Sequence, residues 1–197
     1  MSDMSEPIIR LALPQDARQL RDIYAPYVEK TAISFETVAP TATAMLRRRD
    51  EIVQRYPYLV AEQDGVLLGY AYAHPFVGRA AYDWSAEMTI YMKMDARGKG
   101  LGGKLYRTLE AILKAQGVLN LNACIGVPKG ADDEYLTHAS VNFHAHLGYT
   151  LVGTFHDSGY KFGRWYDMAW MEKILGEHTM PAAPIRPFPE VRESFGL

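Results

Sequence analysis

The stretch Asp95-Ala96-Arg97-Gly98-Lys99-Gly100-Leu101-Gly102-Gly103-Lys104 decides the fold of this 197-residue chain. It follows a segment whose apolar residues alternate, 84–94, and precedes a segment whose apolar residues recur at helical spacing, 100–116. The stretch therefore predicts a glycine-rich turn between a strand and a helix. Free backbone N–H groups and the helix dipole attract anions at such a position, which favours phosphate binding. The alternative interpretation is a glycine-rich connector without a ligand.

Two well-known phosphate motifs overlap this turn and are both incomplete. The P-loop pattern GxxxxGK begins at Gly98, but Leu105 stands where a hydroxyl should reach magnesium, which disfavours a nucleotide triphosphatase. The dinucleotide pattern GxGxxG also begins at Gly98. The segment 111–131 contains no Asp or Glu to hold a ribose, so NAD binding is disfavoured as well.

The periodicity of the remaining sequence predicts strands and helices on both sides of the turn. Asp64-Gly65 supplies the positive φ angles of a tight hairpin turn, and Pro57 is expected to end a helix. The predicted strands are 8–13, 58–62, 66–74, 84–94, 118–125, 149–155 and 164–173. The predicted helices are one opened by Pro14, followed by 43–56, 100–116 and 140–147.

Composition predicts a single domain over 1–175 and a proline-rich tail over 176–197. Apolar residues make up 48% and charged residues 22% of the chain, as in ordinary globular proteins, which excludes a disordered or collagen-like chain. The prolines between 181 and 189 predict an extended or disordered arm rather than regular structure.

Charge and cysteine content predict the setting of the protein. A net charge of −2 provides no bulk field for holding nucleic acid. One cysteine, Cys124, forms no disulfide within the chain and predicts a reducing cytoplasm. Acidic residues precede the first apolar run and no window reaches 18 apolar residues, so we expect neither export nor a membrane span.

A third phosphate pattern, R/Q-x-x-G-x-G/A, is satisfied by Arg97, Gly100 and Gly102. Here the chain resembles the GNAT superfamily of acetyl-CoA-dependent N-acetyltransferases over roughly residues 8–173. The resemblance implies an α/β GNAT fold with a mixed, mostly antiparallel sheet flanked by helices. Four further segments resemble the phosphinothricin and methionine sulfoximine N-acetyltransferase branch: 33–37, 55–62, 81–87 and 143–149.

The resemblance implies a binding site for acetyl-CoA that runs along one strand and over the glycine turn. In the family, the amides of this turn hold the coenzyme A pyrophosphate. The residues implied to bind the cofactor are Ile90, Tyr91, Met92, Arg97, Gly98, Lys99, Gly100, Leu101, Gly102, Gly103 and Ser140.

Acetyl transfer to an amine needs a base for the amine and a proton for the departing thiolate. Glu87 is the preferred base, because a carboxylate in a central strand beside the cofactor turn is partly desolvated; the alternative is a surface glutamate. His144 stands where many GNAT members carry a tyrosine proposed as the acid. It is a candidate acid or second base, and the alternative is a helix histidine bonded to Ser140. No metal is needed, and the histidine spacing indicates none.

The resemblance also implies that Arg79 holds the acidic group of an amino-acid-like acceptor. Phe35 and Tyr82 are candidate pocket walls, with ordinary core residues as the alternative. Cys124 is expected to pack as an apolar residue rather than to carry the acetyl group.

The sequence leaves other functions open. One is acetylation of another amine, such as a protein N-terminus or a polyamine. The other is a non-catalytic acyl-CoA-binding regulator, which would keep the glycine turn without needing Glu87 or His144. The family resemblance implies a homodimer, with the tail as one possible contact.

Overall fold

A computed structural model of the chain describes residues 5–197. Residues 1–4, on which part of the export expectation rests, lie outside the described residues. The strands are β1 (Ile8–Leu11), β2 (Tyr58–Gln63), β3 (Val66–Pro75), β4 (Ser85–Met92), β5 (Asn120–Val127), β6 (Thr150–Lys161) and β7 (Arg164–Ile174). The helices are α1 (Ala17–Lys30), α2 (Ala42–Ile52), α3 (Leu101–Gln116), α4 (Ala139–His146) and α5 (Phe188–Val191). Among residues 5–197, no helix is long and apolar enough to cross a bilayer.

One sheet of seven strands forms the centre of the molecule, in the order β1-β2-β3-β4-β5-β7-β6. The β4–β5 pair is parallel and every other pair is antiparallel. This parallel pair is short: only Ser85, Ala86 and Glu87 of β4 have partners on β5. Beyond Glu87 the two strands separate, while each remains paired with its other neighbour. The centre of the sheet is therefore split.

Helices cover the two faces of the sheet unequally. On one face, buried residues of α1 and α2 pack against β2 and β3. On the other face, α3 lies across β2 to β5 and contributes the largest buried cluster, with α4 and α5 packed beside it. Ala86 and Met88 of β4 point into the α3 cluster. Because side chains alternate along a strand, Glu87 points to the face that α1 and α2 cover in part.

Local sequence signals account for the ends of several elements. The hairpin turn between β2 and β3 has φ of 50° at Asp64 and 80° at Gly65, as predicted. Gly117 closes α3 in the left-handed conformation, with its N–H bonded to Leu113 O and Lys114 O. The α3 helix begins one residue after Gly100, which is also left-handed, with a φ of 76°.

Three predictions about elements were wrong. The second helix ends at Ile52, not at 56, because residues 53–56 turn so that Tyr56 is buried in the α3 cluster. The sixth strand continues to Lys161, well beyond 155. The tail is not devoid of regular structure: α5 and a following 3₁₀ turn, Arg192–Phe195, form there, and Phe188 and Val191 are buried.

Candidate active site

The separation of β4 from β5 opens a cavity of about 280 Å³, which we call the inner cavity. An amide hydrogen of Asn122 Nδ2 bonds to Ala86 O at 3.4 Å, so the Ala86 peptide faces β5. By the alternation of a β-ladder, the peptide groups of Met88, Ile90 and Met92 face the same side, where β5 has moved away. The inner cavity is lined in part by Phe35, Glu36, Glu87, Tyr106, Cys124 and His144.

A second cavity of about 390 Å³, the outer cavity, lies over the glycine turn. It shares Ile33, Ile90 and Ser140 with the inner cavity, so the two form one continuous cleft. Its floor is the N-terminus of α3, where the first amides have no partner within the helix. A Cβ added at Gly98 or Gly100 would meet no atom within 4 Å, so the turn presents its backbone openly.

Glu87 stands where β4 and β5 part. Its side chain is 20% exposed, and Oε1 lies 3.7 Å from Nε2 of His74 on β3. Burial raises the pKa of the Glu87 carboxyl, and the facing imidazole partly opposes this rise. A carboxylate with a raised pKa beside a cavity has the character of a general base.

His144 reaches the same cavity from the opposite face of the sheet. Its Nδ1 lies 2.7 Å from Ser140 O, and its Nε2 lies 2.8 Å from the Tyr106 hydroxyl. A carbonyl can only accept, so Nδ1 carries the hydrogen and Nε2 accepts from Tyr106. Burial lowers the pKa of His144, although the bond to Ser140 acts in the other direction. His144 is therefore neutral, and both of its nitrogens have partners.

Cys124 is not packed as the sequence led us to expect, because its side chain lines the inner cavity. Burial, together with the negative charge of Glu87, raises the pKa of the Cys124 thiol to about 12. A thiol that stays protonated near neutral pH is a poor nucleophile. Its position beside the cavity therefore does not make it an acetyl carrier.

The loop that carries Phe35 forms one wall of the inner cavity and is held by contacts from two elements, β6 and α2. From β6, Lys161 Nζ donates to Ser34 O at 2.6 Å. From α2, Arg48 makes two hydrogen bonds to the Glu36 carboxylate, at 2.8 and 3.1 Å. The Phe35 ring lies against Gly159, where an added Cβ would come within 2.3 Å of it. The wall is therefore preformed.

The structure brings most of the predicted site residues to this cleft. The predicted residues that line the inner cavity, the outer cavity or both are Phe35, Glu87, Ile90, Tyr91, Met92, Arg97, Gly98, Gly100, Gly102, Gly103, Ser140 and His144. Four others are elsewhere. Lys99 is exposed outside the lining, and the Leu101 side chain is buried in the α3 cluster. Arg79 and Tyr82 are exposed on the loop before β4 and line neither cavity.

Sequence reasoning missed Tyr106 and Glu36. Tyr106 follows Leu105 in the apolar stripe of α3, so its periodicity indicates a core residue and nothing more. Its hydroxyl becomes informative only when α4 places His144 beside it. Glu36 lies in the segment 33–37 that carried the resemblance, but no local pattern shows that Arg48 would neutralise it.

Comparisons with known proteins agree with this geometry. A model of the family described as an acetyltransferase (GNAT) domain matches residues 9–170. Phosphinothricin N-acetyltransferase of Streptomyces viridochromogenes is 36% identical over 192 residues, which are 97% of this chain and 100% of the relative. L-methionine sulfoximine/L-methionine sulfone acetyltransferase of Salmonella typhimurium is 30% identical over 176 residues, covering 89% of this chain and 98% of the relative.

A solved structure extends the comparison to three dimensions. A GNAT superfamily phosphinothricin acetyltransferase from Sinorhizobium meliloti, in complex with acetyl-CoA, is 34% identical and has a TM-score of 0.80. The match covers 93% of this chain and 94% of that chain. The fold and family expected from Arg97, Gly100 and Gly102 are thereby confirmed, and the chain belongs to the GNAT acetyltransferase family.

Proposed function

We propose that this chain is an acetyl-CoA-dependent N-acetyltransferase that acetylates the amine of a small amino-acid-like acceptor by direct attack in a ternary complex. The observation that carries the proposal is the continuous cleft, which has the glycine turn and the N-terminus of α3 at one end and Glu87 at the other. The relatives named above for phosphinothricin and for L-methionine sulfoximine or sulfone support an amino-acid-like acceptor.

The residues of the cleft fit acetyl-CoA. The backbone of the glycine turn, which is open at Gly98 and Gly100, and the N-terminus of α3 would hold the pyrophosphate, with Arg97 beside them. The unpaired peptide groups of Ile90 would bind the pantetheine amides, as a neighbouring strand would. Tyr27 already donates its hydroxyl hydrogen to Met92 O, so that carbonyl is partly engaged. The bound group supplies an activated thioester carbonyl.

The chain's own residues then perform the proton transfers. Glu87 removes a proton from the attacking amine, directly or through water. Backbone N–H groups of β4 that face the gap donate to the oxygen on which negative charge develops. The Tyr106 hydroxyl, whose single hydrogen is bonded to His144 Nε2 at rest, would turn that hydrogen toward the departing thiolate. Burial raises the pKa of Tyr106, so this hydroxyl remains protonated until it is needed.

Charge in the inner cavity supports an amine acceptor. Two carboxylates line it, Glu87 and Glu36; Arg48 pairs with Glu36, whereas Glu87 has no Lys or Arg beside it in the described lining. An ammonium group is therefore favoured inside, and the acceptor's own carboxylate must find a cation at the mouth. Arg79, on the loop that leads into β4, is the residue we assign to that carboxylate. Phe35 forms one wall, and Tyr82 is proposed as a further wall that approaches when acceptor binds.

An acceptor screen tests the proposal. Acetyl-CoA is mixed with amino acids, phosphinothricin, methionine sulfoximine, a polyamine and a short peptide, and released thiol and acetylated product are measured. We expect turnover with amino-acid-like amines. Glu87→Gln should lower kcat by about 10² to 10⁴-fold with little change in acetyl-CoA affinity. Part of the loss should return above about pH 9, where a free amine needs no base.

Two results would contradict the proposal. If no amine causes thiol release, the proposed enzymatic activity is wrong and an acyl-CoA-binding regulator is favoured. If only the polyamine or the peptide is acetylated, the chain is an acetyltransferase but the proposed acceptor class is wrong. A Glu87→Gln profile parallel to wild type, with a small loss at every pH, would make Glu87 structural.

We extend the proposal to a homodimer in a reducing cytoplasm. The lone cysteine supports that compartment. The edge hairpin of β6 and β7 supports association, because apolar side chains that are more than half exposed are concentrated on it: Leu151, Val152, Phe155, Tyr160 and Trp165. Light scattering would distinguish a monomer of 22.2 kDa from a particle of twice that mass.

A further inference from the structure

His74 is the partner of Glu87 across the β3–β4 pair, on the same face of the sheet. Its Nε2 lies 3.7 Å from Glu87 Oε1, and its Nδ1 lies 3.0 Å from Pro75 O. The Pro75 carbonyl can only accept, so Nδ1 carries the hydrogen of the neutral ring. The lone pair of Nε2 therefore faces the Glu87 carboxylate. This orientation allows the ring to take a proton from Glu87.

The two side chains differ in what they face. Glu87 lines the inner cavity, whereas His74 does not and is 34% exposed. An acceptor that fills the inner cavity would separate Glu87 from water on that side. A proton taken up by Glu87 then needs another way out, and His74 is both close to Glu87 and exposed to solvent.

We propose that His74 relays to solvent the proton that Glu87 removes from the acceptor amine. This inference rests on the proposed function and adds a residue to it. His74 is a positioning residue, because it acts through Glu87 and touches no substrate.

The relay is balanced in protons. An N–H bond of the amine breaks and an O–H bond forms on Glu87. That O–H bond then breaks as an Nε2–H bond forms on His74, while the Nδ1–H group stays on Pro75 O. The imidazolium finally releases one proton to water. The 3.7 Å separation must shorten by at least about half an ångström to reach hydrogen-bond distance, and catalytic hydrogen bonds that are long without substrate tighten when substrate binds.

Other groups around Glu87 do not offer this route. Burial raises the pKa of three neighbouring groups, which therefore stay protonated: Tyr72 on β3, Cys124 on β5 and Tyr106 on α3. Burial also keeps His144 on α4 neutral. Glu36 is paired with Arg48. Asn122 faces Glu87 on β5, and Glu172 lies one strand further, on β7. Of these neighbours, His74 alone is a base with a free lone pair toward Glu87 and an outer, exposed edge.

The experiment compares wild type, His74→Ala, His74→Gln and the control His156→Ala. His156 is also a histidine bonded to a carboxylate, at 2.8 Å from Asp167, but it lines neither cavity. Both His74 variants should lose about tenfold to a hundredfold in kcat at neutral pH, with the KM for acetyl-CoA unchanged. Added imidazole should restore His74→Ala in proportion to its concentration and leave His74→Gln, whose side chain fills the space, unrescued.

The pH dependence supplies a second readout. When it carries a proton, the facing His74 ring lowers the pKa of Glu87 through its positive charge, so its removal should raise that pKa and move the acidic limb of kcat/KM to higher pH. The same upward shift should appear when the Glu87 carboxyl carbon is titrated by NMR, with Glu87→Gln used for assignment. This second measurement needs no turnover. His156→Ala should match wild type in every assay.

The outcomes separate the relay from the function on which it rests. An active, Glu87-dependent wild type with His74 variants that keep full kcat, or whose loss imidazole does not restore, overturns the relay alone. An unshifted Glu87 titration in His74→Gln overturns the coupling. A wild type that acetylates no amine overturns both.

Discussion

At the scale of single residues, the partners of His144 decide which group can give up a proton. Ser140 O holds the hydrogen on Nδ1, and Tyr106 donates to Nε2. A neutral, buried imidazole with both nitrogens bonded is a poor direct acid. We therefore expect the Tyr106 hydroxyl and the His144 ring to act as one unit, in which the ring holds the hydroxyl hydrogen until it turns to the thiolate.

This unit can be tested by removing one oxygen atom. Tyr106→Phe keeps the buried ring but leaves Nε2 of His144 without a donor, so we expect kcat to fall by about 10- to 100-fold. The kcat of His144→Asn should fall by a similar factor. The kcat of the double variant should be little lower than that of either single variant, because we expect the two side chains to act together. Steady-state kcat of all four proteins gives the coupling.

Tyr149→Phe is the matched control for this prediction. Its ring also meets the His144 ring edge-on, with centroids 5.3 Å apart, but within residues 5–197 its hydroxyl has no hydrogen-bond partner. It should keep wild-type kcat. If the activation free energies lost in Tyr106→Phe and His144→Asn add up in the double variant, the two substitutions have independent structural effects.

The sequence singled out Glu87 as a candidate but not Tyr106, for a physical reason. The alternation of β4 assigns Glu87 to the polar face, where an isolated carboxylate is conspicuous. Tyr106 belongs to an apolar helical stripe, and a tyrosine there satisfies the periodicity whether or not its hydroxyl does chemistry. The same holds for His74, whose significance depends on the pairing of β3 with β4.

At the scale of elements, the glycine turn and α3 form one structural unit, to which the proposed function assigns cofactor binding. Strong periodicity made 84–94 and 100–116 predictable to within two residues. The split between β4 and β5 was not predictable, because it depends on how far two distant segments stay paired. The length of β6 was underestimated because bulges at Leu151/Gly153 and Phe155/Gly159 interrupt the alternation of its side chains.

A negative charge placed in the glycine turn should weaken acetyl-CoA binding, and this effect can be separated from the backbone strain of replacing a glycine. Gly100 has a φ of 76°, which Asn and Asp tolerate comparably and better than most residues. Gly100→Asp places a carboxylate at the N-terminus of α3, where an anion should bind, whereas Gly100→Asn has nearly the same shape without the charge. We expect Gly100→Asp to bind acetyl-CoA about 10- to 100-fold more weakly than Gly100→Asn, with a difference that shrinks as salt rises.

Titration calorimetry at two salt concentrations measures this difference. Folding of both variants is checked by their thermal transitions, since strain at Gly100 affects them alike. Equal affinities of the Asp and Asn variants would mean that the turn holds no phosphate and is only a connector.

At the scale of the whole molecule, the tail closes the end of the domain opposite the glycine turn. The Gln116 side chain, at the C-terminus of α3, donates to Arg55 O at 2.8 Å and to Arg186 O at 2.9 Å. The Phe188 N–H donates to the same Arg55 carbonyl. Prolines in the segment argued against regular structure, but burial of Phe188 outweighs that local preference.

We therefore expect the tail to contribute to stability rather than to catalysis. Phe188 is 3% exposed and packs in the α3 cluster, so Phe188→Ala should lower the free energy of unfolding by about 3–5 kcal/mol. Met180→Ala, at a side chain that is 98% exposed in the same tail, should change it by no more than about 0.5 kcal/mol. Urea unfolding, with its midpoint and slope, measures both free energies.

The 16 residues of α3 span about 24 Å, which separates Phe188 from the turn. Acetyl-CoA affinity of folded Phe188→Ala should thus match wild type, and unchanged stability in that variant would return the tail to the role of a loose arm.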